Sequence, residues 1–336
     1  MAESASGVQE IDAGVLDIDA EAATGEIVSA LRSLVGSMRR RGAVVGVSGG
    51  IDSSVTVALA ARAFGPDRTL ALLMPEVDSA DDTLDLSRSV TDAVGVRTVV
   101  ENIAPLLTAA GCYERRDAAV REVVPEYGEG WKFKIVLPTV LGTDSFRLFS
   151  VVAQSPAGET VEARLPTQAY LTIVAATNFK QRVRKMLEYF HADRLNYAVI
   201  GTPNRLEYDQ GFFVKLGDGA ADVKPIAHLY KTQVYALAEY LGIPEGVRSR
   251  PPTTDTYSLP QGQDEFYFSL PYHEMDLCLY AHNHDLPPEA VARTVGLSPE
   301  DVRRVYDDID QKRRTTRYLH LPPQLVDEKA LPQLEA

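Results

Sequence analysis

The sequence predicts an α/β protein: a doubly wound parallel sheet with an inserted α+β segment and C-terminal helices. Three observations carry this reading. Short apolar, β-branched runs alternate with helical patterns over residues 27–103. The alternation breaks near residue 111 and resumes near residue 173. Beyond residue 272 only helical patterns remain.

Ile27, Leu31, Leu34, Val35 and Met38 recur at helical spacing and predict a first amphipathic helix. The polar, acidic residues before it, 1–24, read as a tail. Residues 43–47 form a run suited to a strand covered on both faces. That run ends in SGGIDSS, and VTVALAARAF then reads as a helix. TLALLM (69–74) predicts a second strand, ADDTLDLSRSVTDAVG a second helix and RTVVENI a third strand.

Residues 111–172 read as an insertion. A charged helical stretch, YERRDAAVREVVPEYGEG, precedes the strand-like pieces WKFKIVLP, FRLFSVVAQ and TVEARLP. Ser155-Pro156-Ala157-Gly158 supplies a turn between the last two. The expected product is a helix plus a small antiparallel sheet or hairpin. Its aromatic residues, Trp131, Phe133, Phe146 and Phe149, are open to three uses: surface decoration, a cover for the substrate or a contact between subunits.

The alternation resumes with the helix NFKQRVRKMLEYFHADRL and the strand NYAVIGT, whose residues 197–200 are apolar. A loop rich in glycine and acid, GFFVKLGDGAADVKP, leads to the helix LYKTQVYALAEYLG, stopped by Gly242-Ile243-Pro244. RPPTTDTYSLPQGQDE is turn-rich. Residues 272–318 read as short helices, the last capped by Ser298 with Glu300 and Asp301 in its first turn. One domain over residues 25–320 and a second tail over 321–336 complete the expected organisation.

Composition narrows the function. Among 336 residues the formal net charge is −13, whereas proteins that grip long polyanions carry basic faces. Nucleic acid is therefore not the expected partner. No apolar run approaches the roughly 18 residues of a membrane span, and no signal-peptide pattern opens the chain. Cys112 and Cys278 form no CxxC pair and predict neither a disulfide framework nor a zinc site. A cytoplasmic location follows as the expectation.

The chemistry-bearing motif is VVGVSGGIDSSV. A strand runs into a serine- and glycine-rich turn and then a helix. Glycines let the backbone approach an anion, and amides at the helix N-terminus point at it. Ser48, Ser53 and Ser54 add hydroxyls, but no lysine follows, so this is not the GK[ST] phosphate loop. A carboxylate within such a loop repels phosphate unless a divalent cation lies between them, which assigns Asp52 to Mg²⁺.

SGGIDSS resembles the pyrophosphate loop of the N-type ATP pyrophosphatases, which split ATP between its α- and β-phosphates and pass AMP to a substrate oxygen. Later segments resemble the NAD synthetase branch of that superfamily. Gly201-Thr202-Pro203-Asn204-Arg205-Leu206-Glu207, Gly211-Phe212-Phe213 and Gly217-Asp218-Gly219-Ala220-Ala221-Asp222 follow its series GT-x-N-x-x-E…G-[FY]…GD-x-x-x-D. Pro225-Ile226, Leu229-Tyr230-Lys231-Thr232-Gln233 and Arg250-Pro251-Pro252-Thr253 continue it. Asn178 and residues 182–186 fit, with variations, the helix that family carries as N-x-x-x-R-x-R-M. The resemblance covers residues 25–110 and 173–315.

The resemblance implies an adenine nucleotide alpha hydrolase-like fold and an ATP-dependent amide ligase that adenylates a carboxylate, most simply deamido-NAD, and transfers ammonia to it. ATP would be held by Gly46, Ser48, Gly49, Gly50, Asp52, Ser53, Ser54, Arg182, Thr202, Lys231 and Thr253. Asp52 and Glu207 would hold Mg²⁺. Lys231, Thr253, Asp218 and Asp222 would be catalytic. Asn178, Arg182, Phe212, Lys215, Asp218, Asp222, Lys312 and Arg313 would bind the acid substrate. A homodimer is the family precedent. With no glutaminase-like segment, nitrogen would come as free ammonia or from a separate glutaminase.

Departures from the family pattern concentrate where the acid substrate should bind. They include Leu206, Val214, Pro252-Thr253-Thr254-Asp255-Thr256, residues 262–269 and Gln311-Lys312-Arg313. An amide ligase for a different carboxylic acid is therefore an alternative. A tRNA-modifying relative is disfavoured by the acidic charge. A non-catalytic ATP-binding protein is disfavoured because Asp52, Glu207 and Lys231 are all kept, and only turnover needs charge neutralisation in the transition state.

Overall fold

The first strands and helices form where the apolar runs place them, as a computed structural model describing residues 10–80, 82–137, 141, 148–253 and 256–326 shows. Expectations on residues 1–9, Phe146, Thr254, Asp255 and residues 327–336 lie outside the described residues. Helix α1 (Ala20–Ser37) leads through β1 (Ala43–Gly46) into α2 (Ile51–Phe64). Then come β2 (Thr69–Leu73), α3 (Thr83–Val94), β3 (Arg97–Val100) and the short α4 (Ala104–Ala109).

The insertion builds a layer of its own. Helix α5 (Cys112–Arg121) precedes β4 (Lys132–Val136), β5 (Ser150–Gln154) and β6 (Thr160–Arg164), which pair antiparallel in that order. The expected Ser155–Gly158 turn joins β5 to β6, with Gly158 N donating to Ser155 O at 2.9 Å. Alternate residues Phe133, Ile135, Val151 and Ala153 face a core shared with α5 and with the start of α6 (Thr167–Leu195).

Helix α6 starts eleven residues earlier than the NFKQ stretch at 178 indicated, inside the segment read as insertion. The residues LTIVAAT mix strong helix formers with four β-branched residues, whose stiffness at χ1 weakens the helical signal. Tertiary burial of Ala169, Ile173 and Ala176 overrides this weakness. After α6, β7 (Ala198–Val199) returns to the main sheet, which runs parallel in the order β3-β2-β1-β7. Both faces are covered, so β1 and β2 bury nearly every side chain, as their unbroken apolar runs require.

Helix α7 (Arg205–Gln210), the glycine-rich loop, α8 (Lys231–Tyr240) and α9 (Glu245–Arg248) follow. Gly242, at φ +75°, ends α8 as its sequence predicts. The C-terminal layer is α10 (Tyr272–Asn283), α11 (Glu289–Ala292) and α12 (Pro299–His320). The last is not short, although Ser298 caps it as expected, its Oγ accepting from Asp301 N at 3.1 Å.

The region read as an N-terminal tail is structured from residue 10 onward. Asp19 accepts from Glu21 N and Ala22 N at 3.0 Å and starts α1 at Ala20. Leu16 is buried in the C-terminal helix cluster, and Ile11 N donates to Ala290 O at 2.9 Å. A few apolar residues scattered among acids give no periodic signal, yet Ile11 bonds Thr294 across 283 residues of chain.

Candidate active site

The strand-to-helix turn at the end of β1 is built by its own side chains. Gly49 has φ +76°, where a Cβ would meet Leu86 Cβ at 3.0 Å and Thr83 O at 3.1 Å, so glycine lets the turn pack on α3. Gly50 is the N-cap of α2. Ser53 Oγ donates to Gly50 O at 3.0 Å and lies 3.3 Å from Ser48 Oγ. Ser54 Oγ also donates to Gly50 O, at 2.8 Å, from a fully buried position behind the turn. The amides of the first turn of α2 stay free of side-chain caps and face a cleft of about 540 Å³.

Asp52, on that first turn, joins three elements. Its carboxylate pairs with Lys231 Nζ at the start of α8 and accepts from Asn204 Nδ2 at 2.9 Å before α7. Asn204 and Glu207 form a reciprocal capping box: Glu207 N donates to Asn204 Oδ1 and Asn204 N to Glu207 Oε2, both at 3.2 Å. This box turns Glu207 toward the cleft, where Gln263 Nε2 donates to its Oε1 at 3.1 Å. Burial, with the nearby Asp52 charge adding to it, pushes the Glu207 carboxyl up to about 8 against the pull of Lys231. Burial opposes the charge of Lys231, but Asp52 and Glu207 outweigh it and hold the ammonium above its usual range.

Two carboxyl groups face one lysine, and a divalent cation between them would favour the ionised form of both. Among the described residues no group of three or more metal-ligating side chains occurs. A pair of carboxylates suits an ion that completes its shell with water and substrate phosphates, the habit of Mg²⁺.

The cleft gathers most of the expected residues. Gly46, Ser48, Gly49, Gly50, Asp52 and Ser53 line one end, with Thr202, Glu207 and Lys231 beside them. Thr253, bridged to Gly262 in a two-residue antiparallel contact, lines it from the turn-rich segment. Asn178 and Arg182 approach from α6, and Phe212, Lys215 and Asp218 from the glycine-rich loop. Asp218 Oδ1 accepts from Val214 N at 2.8 Å, and burial raises its carboxyl above the usual range. Lys215 Nζ donates to Tyr318 O at 2.7 Å and Leu321 O at 3.0 Å, drawing the end of α12 over the cleft.

Four expected residues stand elsewhere. Ser54 lies behind the loop. Asp222 accepts from Val199 N at 2.8 Å and from Tyr189 OH at 3.3 Å, completing the short edge strand β7 instead of facing the cleft. Lys312 pairs with Asp308 at 2.6 Å, and Arg313 bonds Asp209 through two nitrogens at 2.6 and 2.8 Å. Neither lines the cleft, because the face of α12 that carries them packs on α7 and the 264–268 turn. Thr316, Tyr318 and Leu319 reach it in their place.

Sequence reasoning gave no role to Asn204 beyond its motif position, nor any role to Asp276. Asp276, wholly buried on α10, accepts from Lys231 N at 3.1 Å, Thr232 N at 2.6 Å and Thr232 Oγ1 at 2.7 Å. It fixes the end of α8 from which Lys231 reaches Asp52. A lone Asp within YHEMDLCLYAHN gives no such signal; only its position on an otherwise apolar helical face sets it apart.

The chain matches the family described as NAD synthase over residues 23–123 and 150–318. It is 60% identical over 314 residues to the NH(3)-dependent NAD(+) synthetase of Rhizobium meliloti (strain 1021), covering 94% of each chain. The fold resembles that of an NMN synthetase from Francisella tularensis (TM-score 0.64, 21% identity, 92% of this chain and 99% of that one). It likewise resembles an NH3-dependent NAD synthetase from Campylobacter jejuni (TM-score 0.61, 22% identity, 93% of this chain and 100% of that one).

Proposed function

The chain belongs to the NAD synthase family, and from that premise we propose that it converts deamido-NAD to NAD with ATP and ammonia. A carboxylate oxygen of the substrate displaces pyrophosphate from the α-phosphorus of ATP. Ammonia then attacks the resulting acyl adenylate, AMP leaves and a proton is lost. The enzyme is a carbon–nitrogen ligase.

The observation that carries this reading is the meeting of Asp52, Glu207 and Lys231 at the N-terminus of α2. Charge builds on the departing pyrophosphate, and the free amides of α2 together with the Lys231 ammonium are fixed in place to offset it. Asp52 and Glu207 would hold Mg²⁺, which supplies further neutralisation of phosphate charge. The Thr253 hydroxyl, also on the cleft lining, would add a donor. Asp218, a cleft-lining carboxylate whose affinity for a proton is raised by burial, would take the proton that ammonia sheds.

Cys112 and Cys278 are buried, and burial raises both thiols, Cys278 to about 12. Neither suits the nucleophile of a glutaminase, which supports ammonia from solution or from a separate glutaminase. Two reduced, buried thiols also fit a cytoplasmic enzyme. No described helix is long and apolar enough to cross a membrane. The net charge of −13 favours small-molecule partners over nucleic acid.

We read the assembly as a homodimer. Leu171, Met186 and Phe190 are each more than half exposed and lie within one stripe of about 100° along α6. Sedimentation of the wild type and of Met186→Glu/Phe190→Glu checks this: the variant should sediment as a monomer.

The test of function is NAD formation, followed by mass, from Mg-ATP, ammonium and deamido-NAD. Formation that disappears in Asp52→Asn is expected. No NAD, with pyrophosphate release only when other carboxylic acids are supplied, would overturn the substrate while leaving the ATP chemistry.

A further inference from the structure

Two buried charges on α6 have no part in the chemistry above. Lys185 and Glu188 are each 6% exposed, both line the cleft, and Lys185 Nζ donates to Glu188 Oε2 at 2.6 Å. Removing two ions from water is unfavourable, and an apolar pair of similar volume is often at least as stable. Fold stability alone accounts poorly for placing them on a cleft wall.

The position of Glu188 is more telling than its burial. It lies beneath the ends of β1 and β2: a Cβ on Gly46 would come 2.8 Å from Glu188 Oε1 and 3.3 Å from Met74 Cε. Glycine at 46 thus leaves room for this oxygen. Lys185 occupies Oε2, and among the described residues no donor reaches Oε1. An acceptor with open coordination therefore faces the cleft, its charge balanced by the neighbouring ammonium so that phosphates are not repelled.

An open carboxylate oxygen selects a ligand that donates. On ATP the donors near the phosphates are the ribose hydroxyls; the adenine amino group lies at the far end of the base. Gly46 is two residues from Ser48, at most about 7 Å along an extended chain. A group beside Gly46 is within one sugar of phosphates held at residues 48–53. Acidic side chains read ribose hydroxyls in other open α/β sheets by the same hydrogen bond.

We propose that Glu188 is a specificity-determining residue that accepts a hydrogen bond from the ribose hydroxyls of ATP, with Lys185 as its positioning residue. The proposal rests on the reading that residues 48–53 hold the triphosphate. It predicts that the enzyme discriminates against deoxynucleotides through a residue on α6, far from the loop in sequence.

The test compares ATP, 2′-deoxy-ATP, 3′-deoxy-ATP and purine riboside triphosphate in the wild type, Glu188→Gln and Lys185→Met/Glu188→Leu. The double variant removes both charges together, so no buried ion is left unpaired, and its fold is checked by circular dichroism. Nucleotide binding is measured by calorimetry beside NAD formation. The expected result is a loss of roughly tenfold in wild-type affinity when the contacted hydroxyl is absent, the size of one charge-assisted hydrogen bond. In the double variant that ratio should fall to about one, with the loss for ATP appearing in KM; Glu188→Gln should lie between.

Equal wild-type affinity for ATP and both deoxynucleotides overturns the proposal, as does a folded double variant that keeps the wild-type ratio. A ratio between ATP and purine riboside triphosphate that collapses in the variant, while the deoxynucleotide ratio survives, moves the contact to adenine and overturns the ribose assignment. Loss of NAD formation with nucleotide binding and discrimination intact would instead count against the proposed function alone.

Discussion

Asp276 holds the backbone of Lys231 from another helix: its Oδ1 accepts from Lys231 N at 3.1 Å across 45 residues of chain. Oδ2 takes Thr232 N and Thr232 Oγ1 as well, so one buried carboxylate caps α8 and aims the lysine that pairs with Asp52. Asp276→Ala should lower stability by about 2–3 kcal/mol, the worth of a lost cap made by a charged group. It should also reduce kcat more than it raises the KM for ATP. Asp276→Asn, which keeps one acceptor, should recover part of both in thermal unfolding and steady-state kinetics.

Asp52→Asn removes the charge opposite Lys231. Pyrophosphate release should fall by about 10²–10³, the usual loss when a preorganised electrostatic contact is removed. Because Lys231 is almost fully buried, the variant should also lose about 3 kcal/mol of stability. Urea unfolding beside a pyrophosphate assay separates the two effects.

Glu207 predicts a pH dependence in the metal-free protein. Its carboxyl is raised from an ordinary 4.5 to about 8, so the native state binds more protons than the unfolded chain between those values. Stability from this group is complete below about pH 4.5 and is lost as pH rises through about 8. Unfolding midpoints should fall across that window, and Glu207→Gln should flatten the fall.

The same group ties metal binding to protons. A cation beside Glu207 favours the carboxylate, so binding of Mg-ATP at pH 7 should release up to about one proton. Calorimetry in buffers of different ionisation enthalpy reads this directly. Glu207→Gln should abolish the buffer dependence.

Arg313 lies outside the cleft, although the sequence assigns it to the acid substrate. Its guanidinium bonds Asp209 and approaches Asn283, away from the cleft. Arg313→Ala should lower stability by about 1 kcal/mol, since the pair is partly exposed, and leave the KM for deamido-NAD within about twofold. A large rise in KM with unchanged stability would restore the residue to the substrate site.

Much of the site was legible because its geometry is local. The loop at residues 46–54 lies between one strand and one helix, so a few residues of sequence contain the turn, the glycine at φ +76° and the helix N-terminus. The Asn204–Glu207 capping box spans three residues and is equally local. The parallel sheet was legible for a related reason: unbroken apolar runs tolerate burial on both faces and little else.

By itself the sequence determined the α/β alternation, the antiparallel insertion, the serine- and glycine-rich strand-to-helix turn and the types of residue that gather around it. Tertiary structure alone decided which of those residues share a cleft. It sent Asp222 to a strand edge and turned Lys312 and Arg313 onto α7 and its neighbours. It also brought Asp276 to Lys231 and Glu188 to Gly46. The physical reason is range: spacing along the chain encodes hydrogen bonds within a turn, whereas contacts between distant helices depend on how whole faces pack.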